Sequence, residues 1–321
     1  MIRISLALVA ATLIATAAQA QTAWPSKPIR LIAPFPPAST ADVIGRVLGQ
    51  KMSQRLGQPV VVDNRVGASG NIGADAIAKA APDGYTIGIV TSSTHAVAVS
   101  LAGKLPYDPL KDFTPITMLA NSPYVLVLYP GAPAKDIKEL IALAKARPGT
   151  LNYGSAGPAS LAHLAGALFA NLTETQLTHV PYKSSAQSVV DLISGRLEMQ
   201  FATIAPTLAN IRAGQLRALA VTGRKRSDAL PDVPTMDEAG VKGYEATLWF
   251  ALAAPAGLPA GIATKLHQET ADILNSAEMK ETLTQQGFLP DPAPPDAVAA
   301  QIRGDIAKWR DVIAKAGIKP E

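Results

Sequence analysis

Apolar residues along this chain follow two rhythms that take turns. Short apolar runs at 28–33, 60–63 and 85–91 alternate with longer stretches in which apolar positions return every three or four residues. The first rhythm marks buried strands and the second amphipathic helices. Residues 39–56 show the second: Val43, Val47, Leu48, Met52 and Leu56 share one face, and Gly57 stops the helix. A further helix is predicted over 71–81, ahead of the turn Pro82-Asp83-Gly84. This order is that of βαβ units on a mainly parallel sheet.

The same order returns later. Strands are predicted at 150–153, 177–182 and 197–202, and helices at 159–170 and 185–194. In the first of these helices Leu161, Leu164, Ala165, Leu168 and Phe169 point inward. Element order repeats while sequence does not, which predicts two α/β lobes of one build. Residues 114–119 and 124–129 are β-rich, separated by Ala120-Asn121-Ser122-Pro123, and 243–254 is β-rich again. Both read as crossovers between lobes, forming a hinge. The stretch 261–317 is helical and is expected to pack on the first lobe. The division is residues 21–122 with 245–321 for lobe 1, and 123–244 for lobe 2.

Two strand-to-helix junctions carry the candidate chemistry. One runs Pro34-Phe35-Pro36-Pro37-Ala38-Ser39-Thr40-Ala41-Asp42, the other Gly154-Ser155-Ala156-Gly157-Pro158-Ala159-Ser160. Free backbone N–H groups and hydroxyls at a helix start suit an anion such as a carboxylate. Two such jaws suggest closure on one small anionic solute. Ser39-x-x-Asp42 also has capping-box spacing, so a purely structural cap stays open as a reading. Gly157-Pro158 suggests a helix with proline at its first position. Gly67-Ala68-Ser69-Gly70 lacks phosphate-loop and dinucleotide signatures and reads as a tight loop. Thr91-Ser92-Ser93-Thr94 ends a strand, so Ser93 and Thr94 are expected on the cleft side.

Composition narrows the class. The chain has 321 residues, 48% hydrophobic and 17% charged, enough for two cores and unlike a disordered chain. Residues 1–20 have a basic start, an apolar run and the small-residue site Ala18-Gln19-Ala20, which predicts a secretory signal cleaved after Ala20. There are no cysteines, which excludes disulfides, thiolate metal sites and a lipidated cysteine. The net charge of +4 is scattered, so no nucleic-acid surface is predicted. His95, His163, His179 and His267 show no metal-ligand spacing, and no Gly-x-Ser-x-Gly elbow is present.

The chain resembles the Bug (TctC-like) receptors of tripartite tricarboxylate transport systems. The likeness covers essentially the whole mature chain. It is carried by Trp24-Pro25-Ser26-Lys27-Pro28, Pro34-Phe35-Pro36-Pro37 with Asp42, Val62-Asp63-Asn64-Arg65, Pro82-Asp83-Gly84-Tyr85, His179-Val180-Pro181-Tyr182-Lys183 and Leu230-Pro231-Asp232-Val233-Pro234-Thr235. It implies a two-lobed periplasmic binding protein fold (type II-like), each lobe a mainly parallel sheet flanked by helices, with a hinge of crossover strands. It also implies a monomeric, non-enzymatic periplasmic receptor without cofactor, for a small organic carboxylate delivered to membrane transporter subunits. The expected ligand contacts are Phe35, Ala38, Ser39, Thr40, Asp42, Ser93, Thr94, Ser155, Ala156, Gly157, Ser160, Ala202 and Thr203. Three positions depart from the family pattern: Ala38-Ser39 replaces Gly-Gly, Ser184 replaces Gly, and Ala202 stands where relatives often have Asp. The last suggests a ligand without an ammonium group. A ligand sensor for a membrane signalling protein, or a periplasmic hydrolase or lyase using His95 or His163, are the alternatives.

Overall fold

The computed structural model describes residues 24–37, 39–101, 104–285 and 287–318. The predicted signal segment and Ala38 lie outside them. Strand β1 (Ile29–Ala33) leads through α1 (Thr40–Leu56) to β2 (Val60–Asn64), and α2 (Asn71–Ala78) leads to β3 (Thr86–Thr91). A π-helical turn, Ser93–Val97, runs straight into α3 (Ala98–Leu101). Strand β4 (Phe113–Leu128) and α4 (Ile137–Ala146) follow. The second half has β5 (Asn152–Ser155), α5 (Leu161–Thr173), β6 (Thr178–Pro181), α6 (Ser185–Ile193), β7 (Met199–Thr203), α7 (Ile204–Arg212) and β8 (Arg217–Val221). The chain ends with β9 (Thr247–Pro255), α8 (Ala260–Asn275), α9 (Ala277–Gln285), the short β10 (Leu289–Pro290) and α10 (Pro295–Lys315).

The strands pair in the order β2-β1-β3-β9-β4-β7-β5-β6, with β8 and β10 also on β4. Within the first half β1 is parallel to β2 and β3, and within the second β5 is parallel to β6 and β7. The strands that join the halves are antiparallel. This is a two-lobed α/β fold on one curled, mixed sheet.

Strand β4 corrects the sequence reading. The expected break at residues 120–123 is absent, and one continuous strand crosses the molecule. Up to Pro123 it pairs with β9, and from Tyr124 it pairs with β7 and β8. Pro123 sits where the partners change, a position at which a missing N–H costs the ladder little. Beyond it the side chains alternate: Leu126 and Leu128 enter one core, Val125 and Val127 another.

Two helices also depart from expectation. Helix α1 buries Ile44, Leu48, Met52 and Leu56, with Val43 and Val47 only partly covered. Its face is therefore turned toward the sheet side of Ile44. Helix α10 packs on both lobes rather than on the first alone. Its Val298 and Ile302 join Trp249 and Ile32, while Trp309, Val312 and Ile313 join Leu164 and Leu168. Trp249 donates to Asp305 at 2.6 Å, tying the helix to β9.

Candidate functional site

The parallel strands of each half aim their carboxyl ends at the gap between the halves, the usual ligand position in open α/β sheets. There a cavity of about 490 Å³ opens between two walls. One wall holds Phe35, Ala68, Ser69, Asn71 and Ser93. The other holds Ala156, Pro158, Ala159, Ser160 and Leu161. Val97, Ala98 and Leu101 line it between them.

The first loop is pinned from behind. Asp42 is buried. It pairs with Arg46 at 2.9 Å and accepts from Asn64 at 2.9 Å. The same Asn64 amide donates to the Phe35 carbonyl at 3.0 Å, which fixes the turn bearing Phe35. Asp42 raises the pKa of the Arg46 guanidinium further above its ordinary value through its hydrogen bond and its charge. Ser39 spends its hydroxyl accepting from the Asp42 N–H at 3.4 Å, as an N-cap. The capping reading therefore describes Ser39, and neither Ser39, Thr40 nor Asp42 lines the cavity.

The third glycine-rich start, read from sequence as a mere tight loop, supplies part of the wall. Ser69 and Gly70 adopt left-handed backbone, and a Cβ on Gly70 would strike Thr94 and Phe35 at 2.8 and 3.0 Å. Glycine there lets the Phe35 ring lie against the loop. Helix α2 begins without a side-chain cap. The sequence signal was present in the glycines and the position after β2, but it carried no phosphate-loop motif.

Ser93 lines the cavity, while Thr94 is buried behind it. Thr94 exchanges hydrogen bonds with Thr91 and bonds His95 Nδ1 at 3.0 Å. The Tyr107 hydroxyl lies 2.8 Å from both Asn71 Oδ1 and the Thr94 carbonyl and shares its one hydrogen between them, joining the two segments. His95 is fully buried against Phe113, and burial lowers its pKa to about 3.

The second loop differs from the expected helix start. Pro158 lies outside α5, Ala159 is left-handed, and Ser160 caps by accepting from the His163 N–H at 3.3 Å. Gly157, at φ 108°, takes a conformation that an L side chain rarely adopts. Behind the loop two imidazoles stack at 3.7 Å and 6°, those of His163 and His179. The Ala159 N–H donates to His163 Nδ1 at 3.1 Å. Ser155 donates to the Gly157 carbonyl at 2.9 Å, which leaves His179 Nε2 to donate to Ser155 at 2.6 Å. Burial, together with the neighbouring His179, lowers the His163 pKa to about 4, and burial also lowers that of His179.

The structure thus brings Phe35, Ser93, Ala156 and Ser160 to one cavity, with Gly157 in the turn between lining residues. Ser155 is buried and holds the turn from behind. Ala202 is a correction. It is fully buried with Val125 and Val221, so a side chain there points into core and not into this cavity. Thr203 caps α7, its carbonyl accepting from Thr207 at 2.7 Å.

The Ser155–His179 contact looks like a nucleophile and base, but the hydroxyl is committed to Gly157 and buried. Burial alone shifts His179, with no carboxylate acting on it. A second cavity, about 360 Å³, lies along the crossing strands beside Asn121, Thr247 and Trp249. Its Arg224 and Glu245 satisfy each other at 2.8 Å. Among the described residues no cluster suits a metal, and no helix is long and apolar enough to cross a membrane.

Two α/β lobes, crossing strands and a cleft lined by small-residue loops define the class of periplasmic solute-binding proteins. The chain belongs to the tripartite tricarboxylate transporter receptor (TctC) family, whose model matches residues 44–318. It is 40% identical over 297 residues to protein BugT of Bordetella pertussis, covering 92% of this chain and 91% of that one. The solved structure of R. palustris Rpa4515 with adipate is 37% identical with a TM-score of 0.76, covering 93% and 100% of the two chains. MatC from Rhodopseudomonas palustris with bound malate is 31% identical with a TM-score of 0.71, covering 90% and 100%.

Proposed function

We propose that this chain is a periplasmic receptor that captures a small organic carboxylate between its lobes and hands it to a tripartite tricarboxylate-type transporter. Export with cleavage after Ala20 and action as a monomer belong to the same reading. The observation that carries it is the cavity between two loops of small and hydroxyl residues at strand ends. Relatives solved with adipate and malate support the carboxylate class. Ser93 is the side-chain donor and Ala156 presents backbone, because the Ser160 hydroxyl is given to the Gly157 carbonyl at 2.7 Å and the Gly157 N–H to Ser155 at 3.1 Å. Phe35 is a wall. Asp42, Thr94 and Ser155 act by holding these segments in place.

The hinge is the point where β4 changes partners, so lobe 1 is 21–122 with 245–321 and lobe 2 is 123–244. Closure about that point brings the two loops onto one carboxylate. Helix starts and hydroxyls together stabilise an anion without a formal cation. Calorimetric titration of the mature protein with mono-, di- and tricarboxylates tests the reading. Saturable heat with at least one carboxylate is expected. Heat with none of them, from folded protein, defeats it.

A further inference from the structure

We infer that the ligand's far end is apolar: this chain takes a carboxylate with a hydrocarbon body, such as a short-chain or aromatic monocarboxylate, in preference to a di- or tricarboxylate. The inference rests on the proposed function and narrows it.

The cavity is graded in polarity. Among the described residues its polar side chains are those of Ser69, Asn71, Ser93 and Ser160, the last with its hydroxyl given to the Gly157 carbonyl, and none of its lining residues is charged. From Ser93 the helical segment continues with Val97, Ala98 and Leu101 on the same wall. Four and eight residues on from Ser93, these positions follow one helix face for roughly 12 Å. Across the cavity Ser160 is followed by Leu161, which also lines it. Val97 and Leu161 belong to one apolar core, and Leu101 packs on it. The Ser93 end of this face therefore offers a hydroxyl, and the Val97–Leu101 end an apolar floor.

A carboxylate seated at the hydroxyl end directs its body along Val97 toward Leu101. A second carboxylate there would lose its water beside Val97 and Leu101, with no charged side chain among the described lining residues to receive it. An ammonium would fare no better, since among the described residues no acidic side chain lines the cavity. The cations behind the first wall are committed elsewhere: Arg46 to Asp42 at 2.9 Å, and Arg65 to Asp63 at 2.8 Å. Lys183, exposed just after the Tyr182 whose carbonyl faces Gly157, is the residue an opposite result would implicate.

The test is calorimetry near neutral pH on wild-type mature protein with hexanoate, benzoate, adipate, malate, citrate and glutamate. Hexanoate or benzoate is expected to bind at least about tenfold more tightly than adipate, its dicarboxylate counterpart, and than glutamate. Tighter binding of adipate, malate, citrate or glutamate overturns the inference and leaves the carboxylate receptor standing. Binding of none of the six overturns both. Leu101→Arg places a cation at the apolar end and should shift the adipate-to-hexanoate ratio about tenfold toward adipate, whereas Leu101→Met should keep the wild-type order. An unshifted ratio in folded Leu101→Arg also counts against the apolar end. The wild-type series decides the matter alone if that variant does not fold.

Discussion

The two loops that face each other across the cleft do the same job with different chemistry. The first hangs on a carboxylate: Asp42 holds Arg46 and Asn64, and Asn64 holds the Phe35 carbonyl. The second hangs on two neutral imidazoles, His163 on the Ala159 N–H and His179 on Ser155. Neither anchor lines the cavity. The lining itself is left mostly to small side chains and backbone. The difference teaches that rigidity here is built one layer behind the binding surface, and that the two jaws should fail under different insults. The first anchor contains no histidine and should tolerate mild acid. The second should not.

Removing the first anchor is expected to give the largest effect. Asp42→Ala leaves the Asn64 amide and the Arg46 guanidinium without their shared acceptor. The exposed Arg46 is screened by water, so the loss comes chiefly from the buried acceptor shared with Asn64, a hydrogen bond to a charged group contributing about 1.5–3 kcal/mol. Thermal unfolding should show a fall in melting temperature of roughly 5–10 °C. Hydrogen exchange should rise in the segment around Phe35. An unchanged melting temperature would show that the network does not hold the loop.

Much of this comparison was legible in the sequence, and the unread part has a physical reason. The alternation of apolar rhythms gave the βαβ order, and the small-residue junctions marked both loops. Periodicity could not show that residues 120–123 continue a strand, because Pro123 reads as a break unless its pairing partner changes there. Nor could it show that the hydroxyls of Ser39, Thr94 and Ser155 point away from the cleft. A hydroxyl beside a helix start serves a cap or a ligand equally well until its neighbours are placed. The His163–His179 stack joins residues on separate elements, so no local pattern announces it. Ala202 was chosen by likeness to relatives that often have Asp there, and likeness does not show that β7 turns this position into the core.

The second anchor offers a smaller and more selective test. His163→Phe keeps a flat ring beside His179 but removes the acceptor, leaving the Ala159 N–H unmet. An unmade hydrogen bond of this kind costs about 1–2 kcal/mol, so carboxylate affinity should fall about tenfold. His163→Gln returns a carbonyl acceptor and should recover part of the loss. Calorimetry on both variants decides it. Equal affinities for the two would mean that ring packing, and not the hydrogen bond, carries the role.

The smallest effect expected is that of pH, and its sign follows from the direction of the shifts. His163 titrates at about 4 in the folded protein against 6.5 for a free imidazole, held down by burial and by His179. The unfolded chain therefore binds the proton first as pH falls, and folding stability drops over that interval. The contribution is fully present above about 6.5 and is lost as pH approaches 4. Tyr153, the other titratable group packed on the pair, has its pKa raised by burial and stays neutral throughout. Because the His163 ring is partly solvated, the loss is about 1 kcal/mol and not the full value of the shift. Protonated His163 also carries a hydrogen on Nδ1, which opposes the Ala159 N–H and loosens the second loop alone. Denaturant unfolding of wild type and His163→Gln at neutral and at mildly acidic pH measures the difference. Wild type should lose about 1 kcal/mol more than the variant over that interval. A parallel loss in both proteins would remove the titration of His163 from the account, since His179 is present in each.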